Sequence, residues 1–218
     1  MLTHTEENYL KVIYHLSQTE DEGISTNAIA QKIDTKASSV TDMIKKLKEK
    51  KLITHERYQG VFITALGLQT AKMIIRKHRL WEVFLVDKLN FNWDEVHDVA
   101  EELEHIKSEK LINALDAFLG FPKEDPHGDP IPNSKGEIPY REKELLTETK
   151  INHKYMCVGV KDTSAAFLQY LDRQKIALGS TFTVLKHENF DHSVTILFQE
   201  NELTLSKVVA HNLFVKKI

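Results

Sequence analysis

Residues 25–50 read Ser25-Thr26-Asn27-Ala28-Ile29-Ala30-Gln31-Lys32-Ile33-Asp34-Thr35-Lys36-Ala37-Ser38-Ser39-Val40-Thr41-Asp42-Met43-Ile44-Lys45-Lys46-Leu47-Lys48-Glu49-Lys50. Ser25 or Thr26 can cap a helix carrying Ile29, Ala30 and Ile33, and Asp34-Thr35-Lys36 makes a short turn. From Ala37 to about Lys50 the apolar residues Val40, Met43, Ile44 and Leu47 recur at three and four. That spacing leaves Ser38, Ser39, Thr41, Asp42, Lys45 and Lys46 on other faces. Two short helices around a tight turn predict a helix-turn-helix.

Upstream, Leu10, Ile13, Tyr14 and Leu16 have helical spacing and predict a first helix over residues 3–19. Downstream, the β-rich runs Leu52 to Glu56 and Val61 to Thr64 flank the polar turn Arg57-Tyr58-Gln59-Gly60 and predict a hairpin, or wing. A helical pattern then runs from Ala65 to about Lys88 to Asn90, long enough to link two domains. Asn92 to Ile106 and Ser108 to Leu119 read as two more helices. Pro122, Pro126, Gly128, Pro130, Pro132 and Gly136 exclude regular structure between Gly120 and Pro139. Beyond that loop, β-rich runs at 156–160, 181–186, 193–198 and 202–205 flank one helical stretch, 164–174, and predict a small barrel-like domain. The expected architecture is mainly α with small β parts. It comprises a winged helix-turn-helix over 1–72, an all-helical middle domain over 73–140, and a small barrel-like β domain over 145–218.

The chain has 218 residues and 41% hydrophobic content, enough for ordinary globular cores. No run approaches the roughly 18 consecutive apolar residues of a membrane span, and Met1-Leu2-Thr3-His4 does not open a signal peptide. A cytoplasmic protein with no membrane association is expected. Cys157, the single cysteine, sits in a strand-like stretch and reads as core packing. The net charge of -3 conceals two opposed segments. Residues 36–57 hold seven basic residues against three acids, and residues 92–109 hold seven acids against Lys107 alone. The first can meet phosphates and the second cations.

On the helix from Asn92, the residues His97, Glu101, Glu104 and His105 fall at i, i+4, i+7 and i+8 and would share one face. The preceding helix adds His78 and Glu82, four apart, so two facing helices could supply six ligands. Imidazole with carboxylate and no thiolate suits Mn(II), Fe(II), Co(II) or Zn(II). A weaker patch is Asp125-Pro126-His127-Gly128-Asp129, where proline and glycine hold polar groups in fixed directions. The bland reading of the first cluster is a solvated charged helix, and of the second a plain turn.

For nucleic acid, helix 3 presents Ser38, Ser39 and Thr41 at its amino-terminal half, the part that enters the major groove in helix-turn-helix proteins. Thr26 opens the helix before it. Lys36, Lys45, Lys46 and Arg57 would pair with phosphate, setting affinity and salt dependence more than sequence choice. A metalloenzyme is disfavoured, because no nucleophile motif or phosphate loop accompanies the cluster.

These residues together resemble the diphtheria toxin repressor family of metal-dependent regulators, which includes the manganese transport regulators. The resemblance covers essentially the whole chain. It is carried by Thr5-Glu6-Glu7-Asn8-Tyr9-Leu10-Lys11-Val12-Ile13-Tyr14, Ser38-Ser39-Val40-Thr41, Arg76-Lys77-His78-Arg79-Leu80-Trp81-Glu82, Val96-His97-Asp98, Glu104-His105 and Pro126-His127-Gly128-Asp129-Pro130-Ile131-Pro132. Val160-Lys161-Asp162-Thr163-Ser164 and the following helix are similar to the SH3-like domain of FeoA-type proteins.

The resemblance implies a homodimeric repressor that binds operator DNA when loaded with metal and controls metal-uptake genes. It implies metal binding and dimerisation for the helical domain over 73–140 and an SH3-like β barrel over 145–218. It also implies two sites. One joins helix 1 to the middle domain through Asn8, Glu101, Glu104 and His105, with His78 nearby. The other uses Glu82, Asp125, His127 and Asp162, while His78 and His97 fall to it in some relatives. Asn8 stands where relatives often have Asp or Met, Lys11 where the manganese regulators can have an acid, and Glu101 and Asp125 where others have cysteine. Oxygen in place of sulfur hardens both sites and favours Mn(II) over Fe(II), with Zn(II) or Co(II) behind. A winged-helix regulator answering another signal, its metal sites purely structural, is the alternative.

Overall fold

The computed structural model describes residues 2–19, 22–56 and 59–218. The chain forms two compact units: Met1–His78 with Glu101–Ala114 and Pro132–Glu137, and Arg79–Ala100 with Leu115–Ile131 and Ile138–Ile218.

In the first unit, α1 (His4–Ser17) opens with a capping box, in which Thr3 Oγ1 accepts from the Glu6 amide and Glu6 returns its carboxylate to the Thr3 amide. Ser25 caps α2 (Thr26–Ile33) by accepting from the Ala28 amide, and Asp34 ends it in the left-handed conformation, at φ 56°. That residue makes the turn into α3 (Ala37–Glu49). Leu10, Ile13, Ile29, Val40 and Leu47 are all fully buried where the three helices meet. Each such side chain stabilises the fold by roughly 1.5–3 kcal/mol. Strands β1 (Ile53–Glu56) and β2 (Gly60–Ile63) pair antiparallel as the expected wing. The long helix α4 (Ala65–Leu89) begins against the end of that wing, where a Cβ on Gly67 would stand 1.9 Å from the Leu52 carbonyl oxygen. Only glycine permits that approach.

The next helix, α5 (Val96–Leu103), is shorter than the expected 92–106. It closes with a tight bond from the Ile106 amide to the Leu103 carbonyl, so Glu104 and His105 lie in the turn beyond it. Its last turn carries no basic residue but includes Glu101 and Glu102, charges that oppose the negative end of the helix dipole. Helix α6 (Glu109–Phe118) follows, with Ser108 Oγ accepting from the Leu111 amide.

In the second unit, β3 (Glu144–Leu145), β4 (Lys154–Val160), β5 (Thr181–His187), β6 (Val194–Phe198), β7 (Asn201–Leu205) and β8 (Leu213–Lys217) form one antiparallel sheet in the order β3-β8-β4-β5-β6-β7. No ladder joins β3 to β7 among the described residues, so the expected barrel is an open antiparallel sheet. Helices α7 (Ala165–Arg173) and α8 (Lys207–Ala210) place Phe167, Leu168, Leu171 and Val209 on its core with Cys157, Phe182 and Val215. The β3 and β8 strands were absent from the sequence reading. β3 has only two residues, and β8 shows one turn of alternation, Leu213 and Val215, before two lysines.

Candidate metal centres and DNA-facing helix

The first candidate centre lies within the first unit, where His78, Glu101 and Glu104 each offer a ligand atom within 4.8 Å of the others. Glu104 is completely buried. Its Oε2 lies 2.7 Å from His78 Nδ1, and Lys11 Nζ donates to its two oxygens at 2.9 and 2.8 Å and to Glu101 Oε1 at 2.6 Å. Burial alone would raise the Glu104 carboxyl. The His78 hydrogen bond and the Lys11 charge outweigh it and hold the group below the ordinary carboxylate range.

His105 does not face the same cluster. Its Nδ1 lies 2.6 Å from Glu7 Oε2, and its ring stacks on His4 at 4.1 Å. Asn8 is one turn before Lys11 on α1, and its Oδ1 is buried with no hydrogen-bond partner among the described residues. An unpartnered buried carbonyl oxygen costs about 1–3 kcal/mol, and a hard cation would satisfy it.

The second candidate centre lies within the second unit and unites Glu82, Asp125 and His127, all buried. Asp125 Oδ1 accepts from the His127 and Asp129 amides at 2.8 and 3.0 Å, while Oδ2 is 3.3 Å from Arg79 Nε. Burial, reinforced by the charge of Glu82 and offset by Arg79, pushes the Asp125 carboxyl up to about 7. His127 Nε2 lies 2.8 Å from the Trp93 carbonyl oxygen. A carbonyl only accepts, so Nε2 carries a proton, and Nδ1 faces Glu82 Oε1, 3.7 Å away, where the carboxylate favours a second proton and a cation would compete for the same place. Burial works against an imidazolium here, but Glu82 and Asp125 prevail and raise its pKa. His97, half-exposed, joins from α5 with Nδ1 3.5 Å from Glu82 Oε1.

Asp162 is turned to a different task. Its Oδ1 accepts from the Ser164 amide at 2.8 Å, ahead of α7. The loop bearing Asp125 and His127 is fixed to β4, since the Val160 amide donates to the His127 carbonyl at 3.0 Å. Gly128, at φ 86°, lies where a Cβ would meet the Val158 carbonyl oxygen at 2.2 Å.

Thus the four residues expected on one helical face, His97, Glu101, Glu104 and His105, are shared among three partners: Glu82, the Lys11 cluster and Glu7. The sequence reading had not singled out Glu7, Lys11 or Arg79 as part of a centre. A lysine one turn from Asn8, and an arginine beside His78, were the available signals.

On α3, Ser38, Ser39, Thr41, Lys45 and Lys46 are exposed, as is Lys36 at its start. Thr41 Oγ1 donates to the Ala37 carbonyl, and Lys45 pairs with Asp42 at 3.1 Å with both side chains in solvent. Thr26 is half-buried in the first turn of α2. Arg57 lies outside the described residues. Lys50, at the end of α3, donates to Glu6 Oε2 at 2.7 Å.

A helix-turn-helix with a wing, followed by buried histidine and carboxylate clusters, defines the class of DNA-binding proteins with candidate cation sites. Comparison with known proteins gives the family. Residues 1–61 match the iron dependent repressor N-terminal DNA binding domain, 64–133 the iron dependent repressor metal binding and dimerisation domain, and 145–217 the FeoA domain. The chain is 33% identical over 133 residues to the diphtheria toxin repressor of Corynebacterium jeikeium, covering 60% of this chain and 54% of that one. It therefore spans about half the length of that relative. A solved manganese-dependent transcriptional repressor complexed with manganese superposes with a TM-score of 0.88 at 33% identity, over 98% of this chain and 100% of the other. ScaR with bound Zn2+ gives 0.81 at 34%, over 98% and 99%. The chain belongs to the family of metal-dependent, DNA-binding transcriptional repressors, which is not a family of enzymes. No helix among the described residues is long and apolar enough to cross a membrane.

Proposed function

We propose that the chain is a homodimeric repressor that grips operator DNA through α3 and the wing when its two centres hold a divalent metal. The observation that carries this reading is the double attachment of α1. Glu6 receives Lys50 at the end of α3, while Glu7 and Lys11, on the same helix, reach His105, Glu101 and Glu104. Whatever binds the carboxylates therefore acts on the element that holds the recognition helix.

The first centre would draw on Asn8, His78, Glu101, Glu104 and His105. The second would draw on Glu82, His97, Asp125 and His127, with Asp162 as the further carboxylate that family resemblance supplies. When bound, the metal supplies a fixed positive charge that ties these ligands together. The rest is done by the protein, in which α1 orients α3 and the hydroxyls and lysines of α3 face the groove. To act as a switch, the metal must favour the DNA-competent arrangement, and coupling of about 1–3 kcal/mol is typical.

The oxygen-rich ligand sets favour Mn(II), with Fe(II) the alternative and Zn(II) or Co(II) weaker candidates. Operators of metal-uptake genes and a cytoplasmic location follow from this reading. Operator binding titrated anaerobically with each ion buffered tests it. Binding should tighten with Mn(II) at the lowest free concentration, whereas binding unchanged in chelator would overturn it.

A further inference from the structure

The cation nearest Glu101 and Glu104 is one the chain supplies itself. Lys11 Nζ makes three contacts of 2.6–2.9 Å, and its side chain is only 11% exposed. Glu104 is fully buried, with one oxygen taken by Lys11 and the other by Lys11 and His78. A divalent ion cannot take the same carboxylate oxygens while an ammonium holds them, because two cations at that separation repel strongly in a buried setting. Asn8 Oδ1, one turn away on α1, remains buried without a hydrogen-bond donor among the described residues. The ammonium thus satisfies the two carboxylates and leaves the neutral oxygen unsatisfied.

We infer that Lys11 is a tethered competitor for the first centre, so that metal loads only by displacing its ammonium from Glu101 and Glu104. The inference rests on the metal-dependent reading above and adds what sets its threshold. It has two consequences. Lys11 raises the free metal concentration at which the centre fills, and it docks α1 on Glu101 and Glu104 before any metal arrives. The displaced ammonium has a flexible four-carbon stem and can swing toward solvent.

The test compares the full-length chain carrying His127→Ala, which weakens the second centre, with the same chain also carrying Lys11→Met. Lys11→Gln serves as a further variant that keeps a hydrogen-bond donor. Mn(II) binding is counted from the loss of the free-ion EPR signal, and exchange of α1 amides is followed by mass spectrometry in chelator. The expected result is Mn(II) affinity at least tenfold higher without Lys11, together with faster α1 exchange in chelator that Mn(II) reverses. Loss of a purely structural ion pair would not tighten metal binding. Unchanged or weaker Mn(II) affinity in both Lys11 variants, with binding intact in the parent, overturns this inference alone. If wild type and all variants are folded by circular dichroism and bind no Mn(II), the metal-dependent reading falls and takes this one with it.

Discussion

Lys50 Nζ lies 2.7 Å from Glu6 Oε2, joining the end of the recognition helix to the first turn of α1. The Glu6 side chain is 5% exposed and that of Lys50 is 37%. Burial works against the Glu6 carboxylate, but the Lys50 hydrogen bond and the Thr3 amide prevail and lower its pKa. Replacing Glu6 with Gln should therefore weaken operator binding in Mn(II) while leaving the number of bound ions unchanged. Chemical denaturation should register a modest loss, about 1 kcal/mol, as expected for a pair with one partner in solvent.

Metal affinity at the second centre should rise with pH. The Asp125 carboxyl, pushed up to about 7, and His127, also raised, must both lose protons before ligating. The sign is fixed: bound protons compete with metal below that value and are gone above it. From Asp125 alone, affinity measured by titration calorimetry should increase about tenfold between about pH 6 and pH 8, with proton release larger at the acid end. A flat profile would contradict the assignment of Asp125.

Gly128→Ala should detach the ligand loop from β4. The residue sits at φ 86°, and the new methyl group would meet the Val158 carbonyl oxygen at 2.2 Å. Strain of this kind destabilises by about 1–3 kcal/mol. The melting temperature should fall, and one bound ion should be lost.

Cys157 should be inert in the folded chain. It is buried in the sheet core, and burial pushes its thiol up to about 11. Because the thiolate is the reactive form, modification by iodoacetamide at about pH 8 should be slower than in denaturant by a factor on the order of a hundred or more.

The fold was legible where local signals agreed with packing. Val40, Met43, Ile44 and Leu47 gave α3, and Ser25 and Asp34 gave the bounds of α2. The site was legible as a set of residues but not as an arrangement. Helical spacing put His97, Glu101, Glu104 and His105 on one face, whereas α5 stops at Leu103, Glu101 and Glu104 meet at Lys11, His105 turns to Glu7 and His97 faces Glu82. In that turn Glu104 and His105 meet residues of α1 and α4, which are distant in sequence. Lys11 was visible as a departure from an acidic position, but its contact with Glu104, 93 residues away, is purely tertiary.

The central claim is that a cation on the first centre is felt by the recognition helix through α1. Its most direct test is operator affinity of the wild-type and Glu104→Gln chains, each measured at saturating Mn(II) and in chelator. The wild type should bind at least tenfold more tightly with Mn(II), consistent with coupling of about 1.4 kcal/mol or more, and Glu104→Gln should bind equally weakly in both conditions. A Glu104→Gln chain that keeps the full Mn(II)-dependent tightening would contradict the account.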